Sequence, residues 1–491
     1  MPSRKSQNDS SAEPASPMKL ETGNRKLETD LETRNPKPET ASRGALLRIL
    51  GVGFGLAVII GNTIGAGILR TPGEIAKYLP STWIFLTVWV IGGLYALLGS
   101  FSMAELGAMM PRSGGYYVFA RRAFGEYPAF IIGWTDFLAQ VGSTAAVSLV
   151  AAEYTEYLLG RKPEHTVALA SAYAIVLAVL QWRGIKWGST AQNLTSAAKA
   201  LALVGLIAAI FIFAPHGAKE TAHLAAPVGI FAALMIALQF VIYTYDGWYA
   251  VIYFGEEVTD PGRDIPRSMF GGVLSVMAIY VLINVALVYA LPMSQIAGNG
   301  MPVGTVSSII FGRYGDTVIR SVMVISMLSA INAYHLMASR IPFAMAADGI
   351  LTKRVAYVNK GGTPTTALAM SVIAAVAFII FAESFNKVAA IMAFYFTANY
   401  AVAYAAVFVL RRREPQAERP YRAWGYPWST GLALLLGVLF LTGAFYSDIT
   451  GGLGAGRKWY TLDSVDSILV LAVSYPLYLL FGLRRKVTEV R

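Results

Sequence analysis

Apolar runs of about 20 residues recur along almost the whole chain, each long enough to cross roughly 30 Å of hydrocarbon. Inside a bilayer every backbone N–H and C=O must be paired within the protein, so each run can hardly be anything but a helix. Composition agrees. Of 491 residues 55% are hydrophobic and only 14% charged, less charge than a soluble protein of this size needs on its surface. The expected fold class is an all-α polytopic membrane protein with the lipid bilayer as its surroundings.

The chain has no cysteine, which excludes structural disulfides, a disulfide-linked subunit and thiolate metal sites. Four histidines are too few for a histidine-rich metal or proton-relay centre, and neither a metal nor another cofactor is expected. A net charge of +11 would suit a nucleic-acid binder, but the basic residues cluster at the ends of apolar spans. That placement reads as membrane topology, and no nucleic-acid partner is expected.

Residues 1–44 stand apart. They are rich in Ser, Pro, Glu, Lys and Thr, lack aromatics, and repeat the triplet LET at Leu20, Leu27 and Leu31. Such a segment buries too little apolar surface to order itself, and it lacks the apolar core of a signal peptide. It is expected to be a disordered cytoplasmic tail. Twelve spans follow, near 46–69, 82–110, 125–157, 165–182, 190–213, 229–255, 268–291, 317–339, 366–382, 387–410, 428–446 and 465–483. With the amino terminus inside, the inner connections hold roughly twenty Lys and Arg and the outer ones under half that, which places both termini in the cytoplasm. The membrane domain is expected over 45–491.

Two spans are weakened at their middles. The first reads IIGNTIGAGILRTPG, with Gly61, Gly65 and Gly67 inside seven residues; each interior glycine costs a helix roughly 1 kcal/mol relative to alanine. The sixth reads VIYTYDGWYAV, with Asp246–Gly247 near its midpoint. The two lie five spans apart. Five is odd, so a second five-helix unit runs inverted relative to the first. Discontinuous helices at matching positions of inverted halves point to a transporter binding site at the midplane. A zwitterion satisfies the backbone groups freed at such breaks. Its carboxylate would take N–H groups around Gly65, Ala66, Gly67 and Ile68 at the positive start of a half-helix. Its ammonium would take carbonyls of Thr63 and Ile64, and of Tyr243 and Asp246. Alternatively, the glycines form a packing seam between helices.

Four motifs, IGAGIL, AELGAMMPRSGGYYVFARRAFG, YDGWYAVIYFGEEVTDPGRDIPRS and NAYHLMASRIPFAMAADGIL, resemble the amino acid–polyamine–organocation superfamily. YDGW followed by EE…P…IP is most similar to its L-type amino acid transporter branch. The resemblance runs from about residue 45 to 480. It implies the LeuT-type fold, with five plus five inverted helices (about 45–214 and 228–411), helices 1 and 6 discontinuous, and two carboxyl-terminal helices at about 427–484. It also implies amino acid substrates and alternating access.

The resemblance further implies that Lys199 in span 5 places its ammonium where sodium-coupled relatives hold sodium between helices 1 and 8. Ser326 and Ser329, one turn apart in span 8, would supply oxygens beside it. Whether Lys199 also carries a coupled proton or is a permanent structural cation stays open. Asp246 either caps the second half-helix of span 6 or favours cationic substrates, since the branch includes acid-bearing members that accept them. Tyr243 resembles an aromatic position that caps substrate, and Trp248 follows the break beside Gly247. Asp136 in span 3 has no assigned role; it lines the pathway or pairs with a neighbour. Glu105, Glu256 and Glu257 are expected in ion pairs with Arg112, Arg121 or Arg267, and His335 as a packed, hydrogen-bonded side chain.

The expected function is sodium-independent transport of amino acids, neutral ones foremost, by exchange or proton coupling, across an inner (cytoplasmic) membrane. A cationic amino acid or polyamine transporter using Asp246 is the alternative. An integral membrane enzyme would need His and acidic residues clustered at one depth, and a channel would need polar rings lining a pore. Family members with a disulfide-linked single-span partner attach it between helices 3 and 4, where this chain reads LGRKPEHT. A stand-alone, prokaryotic type of transporter is expected, for which a monomer suffices.

Overall fold

The computed structural model of the chain describes residues 46–65, 67–79, 81–215, 228–381, 385–454 and 463–489. The tail expected over 1–44 lies outside the described residues, as does Ala66.

The described chain is helical, with no strand and only isolated bridges. The helices are α1 Val52–Thr63, α2 Gly67–Tyr78, α3 Thr82–Met109, α4 Tyr116–Phe124, α5 Glu126–Leu158, α6 Thr166–Trp182, α7 Ile185–Phe213 and α8 Ile230–Tyr245. Then come α9 Pro261–Ala290, α10 Met293–Ile296, α11 Pro302–Phe311, α12 Gly315–Ala347, α13 Thr365–Phe381, α14 Phe385–Arg413, α15 Trp428–Gly454 and α16 Asp463–Glu489. Among the described residues seven helices are individually long and apolar enough to cross a membrane, eight if α1 and α2 form one bent span. This is a multi-pass membrane protein.

Helices outrun several expected spans. α9 begins at Pro261 rather than near 268, because a proline suits the first helical position, where its missing N–H is not needed. α12 runs on to Ala347, and the polar stretch after span 2 folds into the short α4. Long-polar segments at membrane edges remain helical where they pack on neighbours, which hydropathy alone does not register.

Both interruptions are present. α1 and α2 meet at a 42° bend around Ile64–Gly65. α8 stops at Tyr245, ten residues before the expected end of span 6 at 255, and gives way to turns and one 3-10 turn at Ala250–Tyr253. The expected second half-helix for Asp246 to cap is therefore a four-residue 3-10 turn. Gly247 explains the stop: its φ of +108° is a left-handed conformation that no α-helix continues through.

α5 packs along α12, α3 along α9, and α1 is enclosed by α9, α7 and α12. Small residues allow this closeness. A Cβ on Gly55 would stand 2.1 Å from Ser268 Oγ, and one on Gly272 2.5 Å from Ile59 Cγ2. Close approach of this kind, rather than hydrophobic exclusion, holds membrane helices together.

Candidate functional site

The two interruptions meet. The Tyr280 hydroxyl on α9 lies 2.6 Å from the Thr63 carbonyl and 3.0 Å from the Thr244 carbonyl, so one side chain touches the last turn of both α1 and α8. Thr71 and Thr244 hydroxyls are 2.9 Å apart. A Cβ on Gly247 would sit 2.4 Å from Asn62 Nδ2 and 2.9 Å from Thr63 Oγ1. At their far ends the same two segments are joined again: the Leu50 N–H donates to Glu257 O, and the Thr259 N–H to Leu50 O, both at 2.8 Å.

The glycines of the first break divide into two kinds. Gly61 is packed against Gln192 and Ser196, and Gly67 against Thr244, where an added Cβ would meet atoms at 1.8 and 3.0 Å. These two serve helix contact. Gly65 is different, since its nearest neighbours would be Ala330 Cβ at 3.8 Å and Asn62 O at 3.9 Å. Among the described residues nothing demands a missing side chain there. Ile68, one residue past Gly67, is fully buried in the first turn of α2.

Lys199 is buried on α7, and its ammonium donates to the carbonyls of Gly61 (2.8 Å), Ile64 (2.7 Å) and Ser326 (3.0 Å). Three N–H bonds meet three acceptors drawn from α1, its broken end and α12, a complete set for a charged amine. Ser326 contributes its carbonyl to Lys199 and its hydroxyl to Ile64 O at 3.1 Å. Ser329 turns elsewhere, toward Gln192 (3.2 Å) and Ser196 (3.3 Å). Beyond it, Asn332 donates to Gln192 Oε1 at 2.8 Å and accepts from Gln181 at 2.8 Å. This amide and hydroxyl network between α6, α7 and α12 was not expected. Its signal in the sequence is the set of amides placed inside apolar runs, costly in hydrocarbon unless paired.

The carbonyls expected to receive an ammonium are partly taken. Ile64 O holds Lys199 and Ser326, and Thr63 O holds Tyr280 and the Gly65 N–H. Tyr243 O receives a longer contact from the Asp246 N–H at 3.3 Å. The Tyr243 side chain is buried at the end of α8.

Asp246 accepts hydrogen bonds from the hydroxyls of Tyr400 and Tyr249, the latter at 3.2 Å. Trp248 is buried against Tyr400 and Tyr249, with ring centroids 5.4 and 5.6 Å away. Asp136 finds its neighbours in Tyr253, 2.8 Å from both carboxylate oxygens, and Gln140 at 3.1 Å.

The expected ion pairs form with other partners. Glu105 binds Arg411 (2.6 Å) and Arg419 (3.3 Å), and Glu257 binds Arg340 (2.9 Å) in full burial. Glu256 accepts the Ser113 N–H at 3.3 Å, while Arg112 and Arg121 both engage Asp348. Arg122 pairs with Glu414 at 2.5 Å and holds that carboxyl below its ordinary value. Charge type and depth are readable along a chain, but which of several arginines faces a given glutamate depends on helix rotation. His335 is fully buried, as expected for a packed side chain, and its polar neighbour is the Ala174 backbone.

Two interrupted helices abutting in a multi-pass helical protein, with a buried lysine beneath the junction, define the class of membrane protein built around broken-helix sites. The model of the family described as amino acid permease matches residues 55–473, and the chain belongs to that family and to the superfamily its motifs resemble. It is 28% identical to the serine/threonine exchanger SteT of Bacillus subtilis over 90% of this chain and 98% of that one. It is 28% identical to the large neutral amino acids transporter small subunit 2 of Mus musculus, covering 79% and 75% of the two chains. The b(0,+)-type amino acid transporter 1 of Oryctolagus cuniculus is 26% identical over 81% and 82%.

Proposed function

We propose that this chain moves amino acids across the cytoplasmic membrane by alternating access, without sodium, and that neutral amino acids are its substrates. The observation that carries the reading is the junction of the two breaks above Lys199, whose ammonium gathers three carbonyls of the kind a sodium ion would gather. A fixed cation there leaves no place for an exchangeable one. Lys199 with Ser326 is thus the replacement for a sodium site, and Ser329 supports it through Gln192 and Ser196.

The substrate carboxylate binds the backbone around Gly65 and the start of α2 through Gly67 and Ile68, with Ala66 the residue between them in the chain. Gly65 is the one glycine of this break that no neighbour crowds, since an added Cβ there would make only ordinary contacts. With Thr63 and Ile64 carbonyls already engaged, the ammonium is received chiefly by the α8 end, through Tyr243 and the Asp246–Gly247 turn. Neutral side chains are favoured because the Asp246 carboxylate is turned into tyrosine hydroxyls and away from open space. Trp248, buried against Tyr249 and Tyr400, is the remaining side chain of the proposed site. The names of the relatives, a serine/threonine exchanger and a large neutral amino acids transporter, agree with this.

If the four shorter apolar helices also cross, the seven long helices and the bent pair bring the count to the expected twelve, a number consistent with five plus five helices and two more. The basic connections support a cytoplasmic location for both termini. One relative is named as a small subunit; this chain has no cysteine with which to form a disulfide to a partner, and it is read as acting without one.

The test is counterflow in proteoliposomes. Vesicles loaded with each unlabelled amino acid in turn should take up its labelled form, equally in sodium and choline media. Exchange that needs sodium would remove the reading of Lys199; no exchange of any amino acid would remove the reading of function.

A further inference from the structure

The carboxyls of Asp136 and Asp246 lie in one buried cluster, and neither the sodium-site replacement nor the substrate's backbone contacts use those carboxyls. Asp136 is 0% and Asp246 2% exposed. They are joined by an unbroken set of contacts. Tyr400 and Tyr249 donate to Asp246, Gln140 Nε2 lies 3.5 Å from the Tyr249 hydroxyl and 3.1 Å from that of Tyr253, and Gln140 and Tyr253 both donate to Asp136. The cluster spans α5, the segment after α8, and α14.

No cation neutralises it. Among the described residues no Lys, Arg or His forms a hydrogen bond or ion pair with either carboxyl; the donors are three phenols, one side-chain amide and the Gly247 backbone N–H, all neutral. The other ionisable groups in electrostatic contact with Asp246 from packed elements are Tyr116 of α4, Tyr243 of α8 and Tyr334 of α12. Tyr404 of α14 and Tyr95 of α3 stand behind Tyr400. All are phenols, neutral at physiological pH. Two unpaired carboxylates in such a place repel each other and are poorly solvated, a situation relieved when the pair shares a proton.

A second observation points the same way. Gln140 Oε1 is buried in the cluster without a hydrogen-bond donor, although its amide nitrogen donates to Asp136. Tyr116, its ring 4.9 Å from Tyr249 and 6.0 Å from Tyr400, has a buried hydroxyl without a partner and in electrostatic contact with both carboxyls. The cluster thus holds one uncommitted acceptor and one uncommitted phenol, so its hydrogen bonds can rearrange around an added proton.

We propose that Asp136 and Asp246 form a proton-binding site, holding one exchangeable proton between them, and that this proton is the coupled ion of the transport cycle. The deposit is simple: one O–H bond forms on a carboxyl oxygen with a proton from water on one side, and breaks to water on the other. Asp246 adjoins Gly247, where the span 6 break touches Asn62 and Thr63, whereas Asp136 is fixed on α5. The proton therefore sits between a segment at the substrate site and the helices it packs on. Lys199, with its three N–H bonds engaged, is a fixed cation in this scheme.

The proposal rests on the transport reading for its coupling part, and two measurements separate them. The first uses the purified full chain in lipid, with infrared difference spectra between acid and alkaline pH. A protonated-carboxyl C=O band that titrates, and is lost in Asp136→Asn and Asp246→Asn, is expected. A band that does not titrate, or that survives in both variants, overturns the site. The second loads proteoliposomes with a pH-sensitive dye and offers L-serine, L-leucine and L-lysine under an inward proton gradient. Stimulated uptake with internal acidification is expected. Robust counterflow of any of these with neither stimulation nor acidification overturns the coupling while leaving transport intact. Where either Asn variant fails to fold, which gel filtration would reveal, Asp136→Glu and Asp246→Glu keep a carboxyl and should shift the band; a band that stays in place in both overturns the site.

Discussion

The ammonium of Lys199 stands 2.7 Å from the carbonyl of Ile64, the residue at which the first membrane helix breaks. A break frees backbone acceptors that hydrocarbon cannot satisfy, and Lys199 meets two on the α1 side and one on α12. The lysine therefore stabilises the break, most of all at Gly61 O, since Ile64 O also has the Ser326 hydroxyl. In Lys199→Ala each carbonyl left without a donor costs roughly 1–3 kcal/mol. Thermal unfolding in detergent should fall accordingly and counterflow should drop to background. Unchanged melting together with unchanged counterflow would defeat this account.

Gly65 and Gly67 differ by one substitution experiment. Gly67→Ala forces a Cβ to about the distance of Thr244 backbone and side chain, at 3.0–3.1 Å, and should lower both stability and transport. Gly65→Ala has 3.8 Å of clearance, so its stability should change by less than about 1 kcal/mol. If a substrate carboxylate approaches that backbone, transport by Gly65→Ala should nevertheless collapse. A Gly65→Ala protein that transports normally would show that no ligand comes close there.

Much of this arrangement was legible along the chain, and the illegible part has a common cause. Apolar runs announce helices, and Gly65 or Asp246–Gly247 announce interruptions, because local backbone chemistry determines them. Tyr280 could not be anticipated as the link between both breaks: in AIYVLINV it is one hydroxyl among apolar neighbours, and its partners lie 217 and 36 residues away. Glu105 likewise pairs with Arg411 across 306 residues rather than with the nearer Arg112 or Arg121. Such choices are made by helix rotation and packing, which the residue type does not encode. Asp136 was recognisable as an expensive residue, but only its nearness to Tyr253 shows how it is accommodated.

At the basic face, Arg122 holds Glu414 below its ordinary value by hydrogen bonding. A carboxyl with a depressed folded value contributes stability that is present above its unfolded value near about 4.3 and fades as pH falls through the lower folded one. Glu414→Gln should therefore narrow the difference in melting temperature between neutral and acid buffer. Both partners are about a third exposed, so the effect should be small and shrink with added salt. A large, salt-insensitive loss at neutral pH would assign the pair a different role.

The Glu257–Arg340 pair is the opposite case. Arg340 is 1% and Glu257 0% exposed, the contacts are bidentate at 3.0 and 2.9 Å, and the guanidinium also lies 5.1 Å from the Phe254 ring. The pair ties the segment after α8 to α12 just beyond the Leu50–Val258 bridge. Removing one member leaves a buried charge without its partner, which costs roughly 3–5 kcal/mol. Glu257→Gln and Arg340→Met should each lower the unfolding temperature by an amount set by that loss. Removing both charges takes away the orphan, so the double variant should be more stable than either single one. Additive losses in this cycle would mean that the two side chains are held by their separate contacts, Arg340 through Leu336 O and Ser339, and not by each other.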